Sequence, residues 1–195
     1  MNRIVYAVAL LAAASLTIVL AGCGGSDDDA ATASAAAQVP FDRAFIDAMV
    51  PHHQDAIAMA TDAKKAGLSQ PDLVEIADDI ERTQEAEIEQ MLAWREEWFG
   101  SREQEPMARA LETLGLSEAQ AGMEHEVDFD SMDDVDQAFA EAMIGHHEGA
   151  IEMARLAQDK ADHGELKDLA DDIVEAQERE VETMREHASA DAHHG

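Results

Sequence analysis

The chain has 195 residues, 46% of them apolar but only 4% aromatic, with 13 basic against 43 acidic side chains and a formal net charge of −30. So much negative charge repels phosphate backbones and excludes nucleic acid as a partner. The apolar fraction is largely Ala, which suits close-packed helices better than a sheet, because strands favour β-branched and aromatic side chains.

Residues 1–22 read as a signal peptide: Arg3 gives a basic start and Ile4 to Leu20 an apolar run. The run ends in Leu20-Ala21-Gly22-Cys23, which resembles the lipobox of bacterial lipoproteins, whose cysteine is lipidated and becomes the mature N-terminus. The expectation is a lipid anchor at Cys23 that holds the protein in the bacterial cell envelope, on the extracytoplasmic face. An uncleaved membrane span is the alternative, though the run is short for one. Cys23 is the sole cysteine, so no intrachain disulfide is possible. Residues 23–39 are Gly, Ser, Asp and Ala without periodicity, a flexible tether.

Pro40 and Asp42 open a predicted helix over 42–66, and Gly67, Ser69 and Pro71 form the turn to a second over 72–98. The linker, 99–134, holds two candidate short helices, 106–114 and 117–123. A third long helix is predicted over 135–162, with Gly164 as its breaker, and a fourth over 165–187; residues 189–195 read as a disordered tail. The expected fold is all-α: a ferritin-like four-helix bundle over 40–188, built from two duplicated helical hairpins (41–98 and 135–188) joined by a long connection.

The duplication is explicit. FDRAFIDAMVPHHQDAIAMA, from Phe41 to Ala60, recurs as VDQAFAEAMIGHHEGAIEMA, from Val135 to Ala154, at an offset of 94. ADDIERTQEAEIEQM, ending at Met91, recurs as ADDIVEAQEREVETM, ending at Met184, at an offset of 93. On a helical projection Phe45, Met49, Ala56 and Ala60 fall within a sector about 60° wide, and His52 and His53 point into the same apolar sector. Asp47, Gln54, Asp55 and Asp62 fall on the opposite side. On the second helix Gln84 and Glu87 interrupt an apolar stripe that contains Ile80, Ile88 and Met91. Gln177 and Glu180 do the same beside Ile173 and Met184. Pro51 and Gly145, poor helix formers at matching places before each His pair, predict a backbone irregularity there.

A buried carboxylate needs a counter-charge, a proton or a metal. Di-iron bundles use Glu-x-x-His; here the pattern is Met-x-x-His-His on two helices and Gln-x-x-Glu on the other two. Thioether with imidazole favours Cu(I), or Ag(I), over Fe, Mn or Mg. The candidate ligands are Met49, His52, His53, Met59, Glu87 and Met91, with their copies Met143, His146, His147, Met153, Glu180 and Met184. Met107, Met123, His125 and Met132 in the linker are auxiliary candidates. The bland alternatives stay open at this point: Met as core filler, and each His pair in a polar network with Glu87 or Glu180.

The doubled AM-x-x-HH-x-x-AI-x-MA pattern, Ala48 to Ala60 and Ala142 to Ala154, resembles the domain of unknown function 305 family over nearly everything from Phe41 to Met184. The resemblance implies a ferritin-like helical fold and export, and it includes members described as periplasmic copper-binding proteins of copper resistance. It points to Met49, His52, His53 and Met59, and to Met143, His146, His147 and Met153. The expectation is an extracytoplasmic protein that sequesters or hands over Cu(I) or Ag(I). A ferritin-like redox enzyme with a dinuclear iron or copper centre is one alternative, and a metal-free acidic module for a cationic partner is another.

Overall fold

The structure is a computed structural model that describes residues 39–123 and 127–188. The signal-peptide segment, Cys23, the tether up to residue 38, His125 and the tail from residue 189 lie outside the described residues. Helices α1 (Phe41–Ala66) and α2 (Pro71–Phe99) form one hairpin, and α4 (Val135–Lys160) and α5 (Gly164–Ala188) the other. The connection holds α3 (Met107–Leu114) and one 3-10 turn, Phe129–Ser131. Among the described residues every regular element is helical, and no helix is long and apolar enough to cross a membrane.

Each hairpin packs on itself, α1 packs along α4, and α3 covers α1, whereas α2 and α5 barely meet. The α1–α2 turn closes at Gly67, whose φ of 114° only glycine adopts without strain. The duplication then ties the hairpins to each other. Asp42, in the first turn of α1, accepts hydrogen bonds from the backbone N–H of Asp162 (2.9 Å) and His163 (2.9 Å), in the α4–α5 turn. Its counterpart Asp136, in the first turn of α4, accepts from Ser69 (2.7 Å) and Gln70 (3.0 Å), in the α1–α2 turn. The start of each inner helix therefore lies against the far end of the other hairpin, so α1 and α4 run antiparallel about a pseudo-twofold axis.

Four expectations need correction. Asp47 does not face solvent: it is 1% exposed and accepts from Arg95 Nε at 2.5 Å and a terminal guanidinium nitrogen at 3.2 Å. Arg95, itself 2% exposed, also donates to the carbonyl of Ser101, so a satisfied ion pair clamps α1 to α2. The chain stays α-helical through Pro51 and Gly145. Gly164 begins α5 rather than breaking the chain; the break is made by Ala161 in extended conformation (ψ 143°) and by Asp42 holding the next two N–H groups. Within 117–123 the predicted helix is replaced by turns over residues 118–122, which Gly122 closes at φ +71°.

The core divides in two. One apolar cluster contains Phe45, Met49, Met91, Met153 and Ile173; the other contains Met59, Ile80, Phe139, Met143 and Met184. In sequence the segments between them, Pro51–Asp55, Gln84–Glu87, Gly145–Gly149 and Gln177–Glu180, carry the polar residues of the repeat.

Candidate functional site

Four imidazoles occupy that division. His52, His53 and His147 are wholly buried and His146 is 2% exposed. The rings of His52 and His146 lie 3.7 Å apart, centre to centre, across the α1–α4 contact. On the flanks, His53 Nε2 lies 2.8 Å from Glu87 Oε2 on α2, and His147 Nε2 lies 2.7 Å from Glu180 Oε2 on α5. His52 Nε2 instead meets the carbonyl oxygen of Ala121 at 2.9 Å.

These partners fix the chemistry of the rings. Carbonyl and ionised carboxylate oxygens only accept, so Nε2 of His52, His53 and His147 carries the proton and donates it. In a neutral imidazole the other nitrogen, Nδ1, then keeps its lone pair. None of these three Nδ1 atoms has a hydrogen-bond partner, and in His146 neither nitrogen has one. Asp55 Oδ2 stands 3.4 Å from His146 Nε2, at the limit of contact. Burial holds the His52 pKa well below the ordinary 6.5, and the neighbouring His146 and His53 push it further down. Burial likewise lowers that of His146, with Asp55 acting against the shift. Both rings are therefore neutral, the form that ligates metals.

Sulfur stands close in the chain. Met49 precedes His53 by one helical turn on α1, and Met143 precedes His147 on α4, which puts each pair on one face. Met49 and Met91 share a cluster with Met153 of the other repeat; Met143 and Met184 share the second cluster with Met59. Each group of three methionines thus draws on both repeats. All six are buried, Met59 being 8% exposed and Met49, Met91, Met143, Met153 and Met184 fully enclosed. Glu87 and Glu180 sit at the rim of the layer, their side chains 20% and 19% exposed. Of the linker candidates, Met107 and Met123 pack against the first cluster, and Met132 is exposed. Among the described residues no three His, Cys, Asp or Glu side chains are arranged to hold one metal ion.

Sequence reasoning missed the Ala121 carbonyl. It is delivered by two glycines: a Cβ at Gly149 would lie 2.2 Å from Ala121 C and O, and one at Gly122 would lie 2.4 Å from the Gly145 carbonyl oxygen. The linker thus lies backbone to backbone on α4. One signal was present, since Gly149 breaks the repeat where the first copy has Asp55.

A duplicated helical hairpin whose paired histidines form a buried central layer defines the class of protein. The chain belongs to the DUF305 family, the domain of unknown function whose model matches residues 21–71 and 42–188. It is similar to CopM in its Cu(I)-bound form, with 32% identity over 74% of this chain and 93% of that one, and a TM-score of 0.59. The Ag-bound, co-crystallised form of CopM gives 30% identity over 79% and 98%, and a TM-score of 0.62. A Cu(II)-bound form of CopM is similar at 31% identity over 76% and 96%, TM-score 0.61. A DUF305 protein of Streptomyces coelicolor, described as secreted, shares the fold at 24% identity over 74% and 90%, with a TM-score of 0.65. No curated protein matches the chain.

Proposed function

We propose that this protein binds Cu(I) or Ag(I) in the bundle core and sequesters it or hands it on outside the cytoplasm, tethered to the membrane by a lipid at Cys23. The observation that carries the reading is the set of buried imidazoles whose Nε2–H is tied down while Nδ1 keeps an unpartnered lone pair. Ligating histidines are oriented in this way, with the second ring nitrogen donating to a carboxylate or carbonyl. Glu87 and Glu180 then orient His53 and His147 rather than ligate. The ligands are imidazole nitrogen with thioether sulfur, a donor set for soft monovalent ions. The pseudo-twofold relation supports two such sites, one on each side of the layer, built from Met49, His53, Met91 and Met153 and from Met143, His147, Met184 and Met59. His52 and His146 stand between them. Likeness to CopM in its Cu(I) and Ag forms supports the choice of ion.

A carboxylate-bridged di-iron centre has little to draw on, because each inward Glu is engaged by a histidine. A purely structural hydrogen-bond network leaves the Nδ1 atoms without partners, which native interiors rarely tolerate. The test is titration of the purified protein with Cu(I) under reducing conditions, and with Ag(I), against a competing chelator. Two ions per chain are expected, with one lost in His53→Ala and one in His147→Ala. At a free ion concentration of about 100 times Kd the fold gains about 2.7 kcal/mol for each site filled. Absence of binding at micromolar Cu(I) and Ag(I), or equal stabilisation by Zn(II), would overturn the assignment. Release of the protein from membranes by Cys23→Ser tests the anchor.

A further inference from the structure

The cover over the buried layer is thin between α2 and α5. Direct helix packing closes the α1–α2, α4–α5 and α1–α4 contacts, α3 covers α1, and Ala121 with Gly122 lies against His52 and α4. Between α2 and α5 packing is sparse, and a groove of about 430 Å³ runs there. It is lined in pseudo-symmetric pairs by Asp79 and Asp172, Thr83 and Ala176, and Glu87 and Glu180. Arg82 and Arg179 also reach it, each already paired on its own helix, with Asp79 and with Glu175. Glu87 and Glu180 face both ways: solvent reaches them from the groove, and each holds a histidine that solvent does not reach. One turn before each of them, Gln84 and Gln177 are 3% exposed, with Oε1 of both buried and unpartnered. A polar oxygen at such a depth is rarely left without a partner, and a water molecule or a cation can supply one.

From this juxtaposition we infer that the α2–α5 seam is the route by which the cation enters and leaves. Asp172 gathers it at the mouth, Glu87 and Glu180 take it at the rim, and the oxygens of Gln84 and Gln177 line the passage to the imidazoles. The inference rests on the binding function proposed above and adds a path to it. Carboxylates on low-dielectric walls raise local cation concentration and association rates, an effect of 10-fold or more where the field is focused.

The experiment is stopped-flow association of Ag(I) with the purified protein, comparing three variants that leave every proposed ligand in place. Ala176→Lys puts a positive charge in the seam and is expected to slow association about 10-fold. Ala176→Glu, of similar bulk and opposite charge, is expected to match or exceed the wild-type rate. Ala93→Lys, at an exposed position of α2 outside the groove, carries the same charge change and is expected to stay within about 2-fold. Release is expected to slow in parallel in Ala176→Lys, so that equilibrium affinity is little changed. Equal rates for Ala176→Lys and Ala93→Lys would overturn the route, with the binding function intact. Absence of Ag(I) binding by the wild type would remove the binding function and the route together.

Discussion

A neutral imidazole offers one N–H and one lone pair, and in this core the N–H is the committed half. Glu87 and Glu180 fix it for His53 and His147, so truncating either carboxylate leaves Nε2–H to find another acceptor and frees the ring to turn. Glu87→Ala is expected to weaken Ag(I) binding about 10- to 100-fold. Glu87→Gln, which still presents an acceptor oxygen, should keep most of the affinity; a chelator-competition titration of both variants separates orientation from ligation. The same burial makes the apo protein sensitive to acid. His52 and His146 are held neutral below the ordinary value of 6.5, so between 6.5 and their lower folded values the unfolded chain binds more protons than the folded one. Their contribution is complete above pH 6.5 and is lost as pH falls through that window. Asp136 adds a second step lower down: burial opposes its charge, but the N–H groups of Gln70 and Ser69 outweigh it and hold its pKa below 3.8. Urea midpoints measured from pH 7.5 to pH 4 should fall as the pH is lowered.

Between elements, the most deeply buried ion pair among the described residues is Asp47–Arg95, joining α1 to α2. Removing one partner of a buried, satisfied ion pair leaves a charge in the core, so Asp47→Ala is expected to cost about 3 kcal/mol or more. The double variant Asp47→Leu with Arg95→Met should recover much of that loss, as chemical denaturation would register. Gly149 is the matching point between α4 and the linker. Ala there gains about 1 kcal/mol in helix propensity, but its Cβ would meet Ala121 at 2.2 Å. Forcing the backbones apart costs about 1–3 kcal/mol and draws the carbonyl away from His52, so a net fall in unfolding temperature is expected for Gly149→Ala. The sequence made the helices themselves legible, because Gly67, Pro71 and Gly100 are strong punctuation and the apolar period is regular. It hid Asp47, since a helical projection assigns a charged residue to solvent and cannot see Arg95, 48 positions away on another helix. It hid the linker for the same reason: the partners of residues 121 and 122 lie on α1 and α4.

At the scale of the molecule, duplication carries the architecture. Asp42 was legible as a helix-opening acid, but that it and its copy Asp136 each close the turn of the opposite hairpin is a tertiary fact that no local pattern encodes. The Met, His and Glu positions of the candidate site were legible because a repeat shows them twice. The partition of Met49, Met91 and Met153 from Met59, Met143 and Met184 was not, since it depends on α1 and α4 running antiparallel. A net charge of −30 on a fold this size also implies self-repulsion. Moderate NaCl should therefore raise the unfolding temperature while slowing metal uptake, opposite effects of one screening length that is about 10 Å at 0.1 M.

The central claim is that sulfur and nitrogen share the ion. X-ray absorption at the copper edge of the Cu(I)-loaded protein measures this directly. A mixed coordination of thioether sulfur and imidazole nitrogen is expected, with the sulfur contribution reduced in Met49→Leu and Met143→Leu. A coordination of nitrogen and oxygen alone, unchanged by those substitutions, would contradict the account and return the methionines to core packing.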